Sequence, residues 1–400
     1  MKKPFVPFAW LAVSLLLFGL PVEKASAIPA FARKYQISCQ VCHSPASPRL
    51  KAFGDDFAGA GFRMTEYQAP RYFIPSGDEK LSLIRDFPIA VRLDGHISYN
   101  NAGAGSSDFG VPFALKLMSG GELSEKLSYY FYFYLNERGE VAGVEDAFLM
   151  FHDLFGTGVN LYLGQFQVSD PLFKRELRLT LEDYHIYTVA PGNSSIGLKY
   201  DRGILIEYGL PTGTDIVAEV VNGNGLVGAG PGHLFDRDKY KSVLLRLNQV
   251  VADVLSFGFF GYFGKEELPT DAVPLINTAW IYGPDMSLDL DERFIINVQY
   301  VWRADSRAVT ATGPLVVQED VLTHGGFAEL IYAPMGDRSN WYLTALANFV
   351  ESDLNMLDYR SVTLHAGYLL RRNIRLAGEY TRHFSAQKYG RASVGFVSAF

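Results

Sequence analysis

From Ile89 to the last residue the chain alternates apolar and polar side chains with a period of two, again and again. No repeat constrains its fold more. Ile89, Val91, Leu93, Gly95, Ile97 and Tyr99 share one face of a strand, against Ala90, Arg92, Asp94, His96 and Ser98. Leu127 to Asn136 sets Leu127, Tyr129, Phe131, Phe133 and Leu135 against Ser128, Tyr130, Tyr132, Tyr134 and Asn136. Phe294 to Arg303 and Arg375 to His383 follow the same rule. Period-two patterning belongs to strands with two unlike faces. A soluble sandwich turns the apolar face inward. An outer-membrane barrel turns it to lipid and lines a lumen with the polar one.

Connection lengths separate the two. Strands near 87–100, 111–119, 127–136, 144–152, 159–168, 201–210, 214–222 and 240–248 make eight. Those near 253–264, 275–285, 293–303, 324–333, 340–351, 357–369, 373–384 and 390–400 make eight more. Every second connection is short, as at 153–158, 211–213 and 370–372. The long ones, 101–110, 169–200, 223–239, 265–274 and 304–323, fall on the other rim. Short turns on one rim, long loops on the other and an even strand number describe a transmembrane antiparallel β-barrel. The expected fold is therefore all-β, a barrel of about 16 strands (14 and 18 being the neighbouring even counts). Strands of about 9–11 residues suit a tilted bilayer crossing, and 14% aromatic residues supply interfacial girdles. The chain closes on a strand ending in Phe400. That ending resembles the C-terminal signature of outer-membrane proteins, apart from Ser398 where an apolar residue is usual.

The long connection 169–200 is the third on its rim. Pro171 is placed to open a helix, with Leu172, Leu177, Leu179 and Leu181 partly periodic. A loop of this length has a job, and the expectation is a charged segment folded into the lumen. The alternative is an extracellular cap.

At the other end, Lys2 and Lys3 precede an apolar run from Phe5 to Leu20, followed by Ala25-Ser26-Ala27. These are the parts of a secretory signal peptide. The organisation expected is a signal peptide over 1–27, a haem-binding segment over 28–86 and a barrel over 87–400. The net charge of −7 argues against nucleic acid as a partner.

Cys39 and Cys42 are the only cysteines, and they stand in Ser38-Cys-Gln-Val-Cys-His43. Cys-X-X-Cys-His is the attachment signature of a c-type haem, each thiol adding to a vinyl group and the histidine ligating iron. A structural zinc site needs four ligands, commonly from a second cluster, and none is present. A thioredoxin-like dithiol belongs in a βαβ setting that this chain lacks. Signal peptide and motif agree, because covalent haem attachment in bacteria follows export. Leu50, Phe53 and Phe57 lie at helical spacing and are expected to offer an apolar stripe to the porphyrin. Some sixty residues are few for an independent core, so the segment is expected to lean on the barrel mouth or enter the lumen.

Ala32 to His43 and Pro48 to Phe57 together resemble a family of outer-membrane proteins from electron-transferring bacteria. In these a single-haem segment precedes a porin-like barrel. The resemblance is specific over 28–64, with Lys51 where asparagine is common, and architectural beyond. It implies one covalent haem c and electron transfer at the outer membrane. The second axial ligand is open: Met64 would give histidine–methionine ligation, His96 faces the expected lumen, and a vacant sixth site is the third option. His365 and His383 read as lumen-lining groups.

The leading expectation is an outer-membrane c-type cytochrome that is not an enzyme. One haem cannot carry electrons across a lipid band about 25 Å tall. Periplasmic and outer-surface cytochromes, or other redox proteins, are the expected partners beside outer-membrane lipid. The alternative is a channel for small polar solutes in which the haem segment is a plug, gate or stabilising element. A haem peroxidase or gas-binding protein would need an open sixth site.

Overall fold

The computed structural model describes residues 30–64, 77, 80–81 and 87–400, the last range without 176–177, 237, 253, 269–274, 311–315 and 386. The expected signal peptide and most of 65–86 lie outside the described residues.

Sixteen antiparallel strands form one closed barrel in sequence order, β1 (Ile89–Asn100) pairing with β16 (Tyr389–Ala399) at the seam. The seam runs from Arg92↔Ala399 to Asn100↔Arg391, and Val91 and Phe400 exchange backbone hydrogen bonds beyond it. The strands between are β2 (Ser106–Ser124), β3 (Leu127–Glu137), β4 (Gly143–Phe151), β5 (Asn160–Gln167), β6 (Tyr200–Leu210), β7 (Thr214–Val221) and β8 (Ser242–Val251). They continue as β9 (Leu255–Leu268), β10 (Leu275–Leu290), β11 (Phe294–Thr310), β12 (Val316–Tyr332), β13 (Trp341–Ser352), β14 (Tyr359–Arg371) and β15 (Ile374–His383). Each of the sixteen expected strands is present.

Three expected long connections are shorter than the pattern suggested. β2 starts at Ser106, β9 runs to Leu268, and β11 and β12 extend to Thr310 and from Val316. The register continues there from Arg307↔Glu319 to Thr310↔Val316. These hairpins rise past the membrane, where no lipid enforces the alternation on which the strand limits were read.

Faces follow the pattern. Phe257, Phe259, Trp280, Trp302, Leu343, Leu364 and Tyr380 are exposed on the outside. Gln299, Arg303, Thr363, His365, Glu379 and Thr381 are buried inside. An apolar outer belt on a sheet without edges is the arrangement by which strands cross an outer membrane.

One long connection enters the lumen and packs on part of its wall. Residues 168–199 turn inward, and Leu172, Tyr184, Ile186, Tyr187, Val189, Ile196 and Leu198 pack against Leu244, Phe260, Tyr262, Ile281, Val301, Phe327, Leu346 and Val350 of the wall. Among the described residues of 171–184 no α-helix forms after Pro171: the chain runs through turns with a 3₁₀ residue at Arg175, and a 3₁₀ turn follows at His185–Thr188. Wall side chains take the backbone groups a helix would use. Glu379 accepts from Leu181 N–H (2.8 Å), Asn348 bridges His185 N–H (3.2 Å) and Asp183 C=O (2.9 Å), and Glu266 accepts from Ser195 N–H (2.8 Å).

Candidate haem-binding site at the barrel mouth

The segment before β1 folds as helix α1 (Ala30–Tyr35), a 3₁₀ turn over Cys39–Val41 and helix α2 (Ala52–Gly59). Ser38 caps the turn, its hydroxyl accepting from Gln40 N–H at 3.3 Å. His43 N–H donates to Cys39 C=O at 2.8 Å. One tight turn thus gathers both thiols and the imidazole, as the two-residue spacing requires.

A short hairpin follows. His43 bridges Leu50, Ser44 N–H donates to Arg49 C=O (3.1 Å), and Lys51 N–H donates to Cys42 C=O (2.9 Å). It brings Pro48 C=O to 2.9 Å from His43 Nδ1. A carbonyl can only accept, so Nδ1 carries the proton and Nε2 keeps a free lone pair, the form in which an imidazole can ligate a metal. Burial pushes the His43 imidazole below its ordinary range, which keeps it neutral, and pushes both thiols up. Helix α2 crosses directly over the motif: a Cβ on Gly54 would collide with Cys42 C=O.

The expected porphyrin stripe is only partly realised. Leu50 lies before α2, its backbone bridged to His43, so it is not on the helical face. Phe53 and Phe57 keep ring contact at 6.5 Å, with Phe57 buried and Phe53 44% exposed. Tyr35, Cys42 and Phe57 form a small core on which Phe31, Ile37, Phe62 and Met64 pack. Of the two candidate second ligands, Met64 therefore shares a cluster with Cys42. His96 points into the lumen edge-on to Phe113 (4.4 Å), in a cavity to which residues 28–64 contribute no side chain. His365 and His383 are buried lumen groups, held by Glu379 (3.1 Å) and Tyr359 (3.2 Å).

The segment is pinned to the rim of short turns, the periplasmic rim of such a barrel. Lys51 pairs with Asp337 in the β12–β13 turn and lies 3.9 Å from Glu292 in the β10–β11 turn. Gln40 Nε2 donates to Asp337 C=O at 3.2 Å. Ala46 is buried among Leu179, Ile295, Ile331, Ala333 and Tyr342, and Arg375 donates to Ser47 C=O. Phe62 stacks on Tyr130 at 4.8 Å. Gly61, at φ +71°, sits where a Cβ would strike the hydrogen-bonded Ser128–His152 pair (2.6 Å). The resemblance over Pro48–Phe57 flagged Pro48, Lys51 and Gly54 without showing what they do. Gly61, the partner Asp337 and Arg375 were not read as parts of this site, and Gly61 alone of these offered a signal, as a backbone position that tolerates close approach.

The residues fit a c-type haem on their own chemistry. They provide two thiols and a neutral imidazole on one turn, a carbonyl that fixes the tautomer, and an aromatic cluster beside them. Among the described residues no group of three or more histidine, cysteine, aspartate or glutamate side chains is arranged to hold a bare metal ion.

Neither a family model nor a curated protein matches the sequence. Solved structures do match. OmpF of Salmonella typhi, in complex with daunomycin, aligns with a TM-score of 0.57 at 11% identity, over 78% of this chain and 97% of its own. The outer-membrane channel DcaP of Acinetobacter baumannii gives 0.56 at 13%, over 79% and 97%. An anion-selective porin from Comamonas acidovorans gives 0.54 at 10%, over 79% and 99%. At these identities the likeness is one of fold: the chain is a porin-like barrel.

Proposed function

We propose that this chain is an outer-membrane electron-transfer protein. It carries one haem c bound through Cys39 and Cys42, with His43 as axial ligand, at the periplasmic mouth of a plugged barrel. The observation that carries the reading is the Pro48 carbonyl at 2.9 Å from His43 Nδ1, because it serves an imidazole whose other nitrogen is a ligand. When bound, the haem supplies one-electron exchange at its iron. The chain's own residues do the rest. Ser38 and Gly54 set the turn, Tyr35, Phe57 and Phe62 exclude water, Met64 is the preferred second ligand, and Lys51 and Arg375 fix the segment to the rim.

The loop packed inside the barrel narrows the path a polar solute would need, while electrons tunnel through packed protein. With a lipid band about 25 Å tall, donor and acceptor are other redox proteins, a periplasmic one on the haem side and an outer-surface one beyond the plug. The porin-like fold favours a second reading, a channel in which segment and loop are plugs that move.

Spectra of the purified protein and planar-bilayer recordings test both. Covalent haem with sharp reduced bands unmoved by carbon monoxide, together with negligible conductance, is the expected result. Absence of covalent haem, or its persistence in a Cys39→Ala/Cys42→Ala variant, would overturn the assignment. Steady porin-like conductance would transfer it to the second reading.

A further inference from the structure

Arg375 is the inward side chain at the periplasmic end of β15, only 6% exposed. Its contacts are the Ser47 carbonyl and Tyr342, which it meets both by a side-chain hydrogen bond and over the ring face, 6.0 Å from the guanidinium carbon. Among the described residues no carboxylate lies within ion-pair distance of it, and its buried Nε–H finds no acceptor. A buried guanidinium without a counter-charge is costly, and buried charges in folded proteins are ordinarily paired.

The same guanidinium lines a cavity of about 80 Å³ between the loop and strands β1, β15 and β16, room for several waters. Arg92 and Arg178 border it too. Its carboxylates are engaged: Asp94 takes two hydrogen bonds from Arg92 (2.9 and 2.6 Å). Glu379 is held by His365 (3.1 Å), Leu181 N–H (2.8 Å) and Arg391 (3.6 Å), and Glu137 lies 4.0 Å from Arg138. The space beside Arg375 thus holds a guanidinium with an unmet donor, while the carboxylates around it are already engaged by other cations and N–H groups.

We propose that this cavity is an oxyanion-binding site centred on Arg375. A planar guanidinium suits a carboxylate or phosphate group, which accepts two hydrogen bonds at once. Such a group reaches the site as a free small anion or as a propionate of the bound haem. Only the second source rests on the function proposed above.

The test titrates inorganic phosphate into the detergent-solubilised holoprotein by calorimetry at constant ionic strength. The expected result is one site per chain, at least tenfold weaker in Arg375→Gln and partly retained in Arg375→Lys. Val397→Asp is the companion variant. Val397 faces Arg375 across the β15–β16 pair and lines the cavity, so an aspartate there supplies an internal counter-ion and should abolish binding while raising thermal stability. Binding by the haem-free Cys39→Ala/Cys42→Ala form alone, with the same dependence on Arg375, would identify the haem's own carboxylate as the occupant. No binding in either form, or binding untouched by Arg375→Gln and Val397→Asp, would overturn the site.

Discussion

Arg303, on β11, offers the most direct way to ask whether the loop is a fixed plug. It is 4% exposed and donates to Val189 C=O (3.1 Å), Ile196 C=O (2.9 Å) and Ser194 Oγ (3.0 Å), three acceptors within one stretch of the loop. It also grips Asp305 (2.7 and 2.9 Å). Each charged hydrogen bond is worth roughly 1.5–3 kcal/mol. The three share one cation and do not add, so Arg303→Met should cost about 3–5 kcal/mol, the usual range for breaking a buried pair. Tyr184, Ile186, Tyr187, Val189, Ile196 and Leu198 each contribute about 1.5–3 kcal/mol by burial, so the loop stays docked on average. Its transient opening rises instead, by a tenfold for every 1.4 kcal/mol, about a hundred- to several-thousand-fold. Hydrogen–deuterium exchange resolved to peptides reads this directly. Amides over 189–198 should lose protection by that factor while β3 and β4 keep theirs. The double variant Arg303→Met/Asp305→Leu removes the stranded carboxylate, so it should regain much of the thermal stability without restoring loop protection. Unchanged exchange over 189–198 in Arg303→Met would show that Arg303 does not hold the loop.

Other perturbations follow from single contacts. Met64→Ala should make the reduced haem sensitive to carbon monoxide; if its spectra match wild type with and without the gas, Met64 is not the sixth ligand. Glu219 on β7 is fully buried, both its oxygens lack a partner, and it shares its surroundings with Asp170 and Asp201. Glu219→Gln should therefore stabilise the barrel by about 1–3 kcal/mol, read as a higher melting temperature, and a drop would refute the reasoning. Burial, aided by Arg63, pushes the His152 imidazole down to about 4 from 6.5. Between those values the unfolded chain binds the extra proton, so stability is full above pH 6.5 and declines as pH falls towards 4. A thermal-shift series from pH 7 to 4.5 should show wild type losing more than His152→Gln, and equal slopes would remove His152 as the cause.

Much of this was legible in the sequence because lipid and lumen impose opposite demands on alternate residues. Phe294 to Arg303 declares both faces of β11 without help. The tight turn that gathers Cys39, Cys42 and His43 was legible in their spacing. The apolar packing inside the lumen was not: Leu244 and Val243 are both apolar, one inside and one outside, and such a run reads as a strand without revealing a partner in the barrel's centre. Nor does sequence show that Leu181 and His185 spend backbone groups on Glu379 and Asn348, the contacts that hold the described part of this stretch in turns. Arg375 was seen as a lumen charge; that Ser47 would reach it depends on how residues 28–64 dock, a tertiary fact no local pattern encodes.

An even strand number returns both ends of the barrel to one rim, and this has a consequence for biogenesis. The segment bearing Cys39 and Cys42 precedes β1, the strand that closes the seam against β16, and docks on the rim of short turns. Its final seat is therefore on the side from which the chain arrives, so nothing attached to those thiols has to be carried through the bilayer. The bulky residues of the inward loop, Tyr184 and Tyr187 among them, must be inside before β1 and β16 zip. Closure of the seam is then the step that locks loop and mouth segment in place, and a chain that sealed early would be an empty cylinder with its stopper outside.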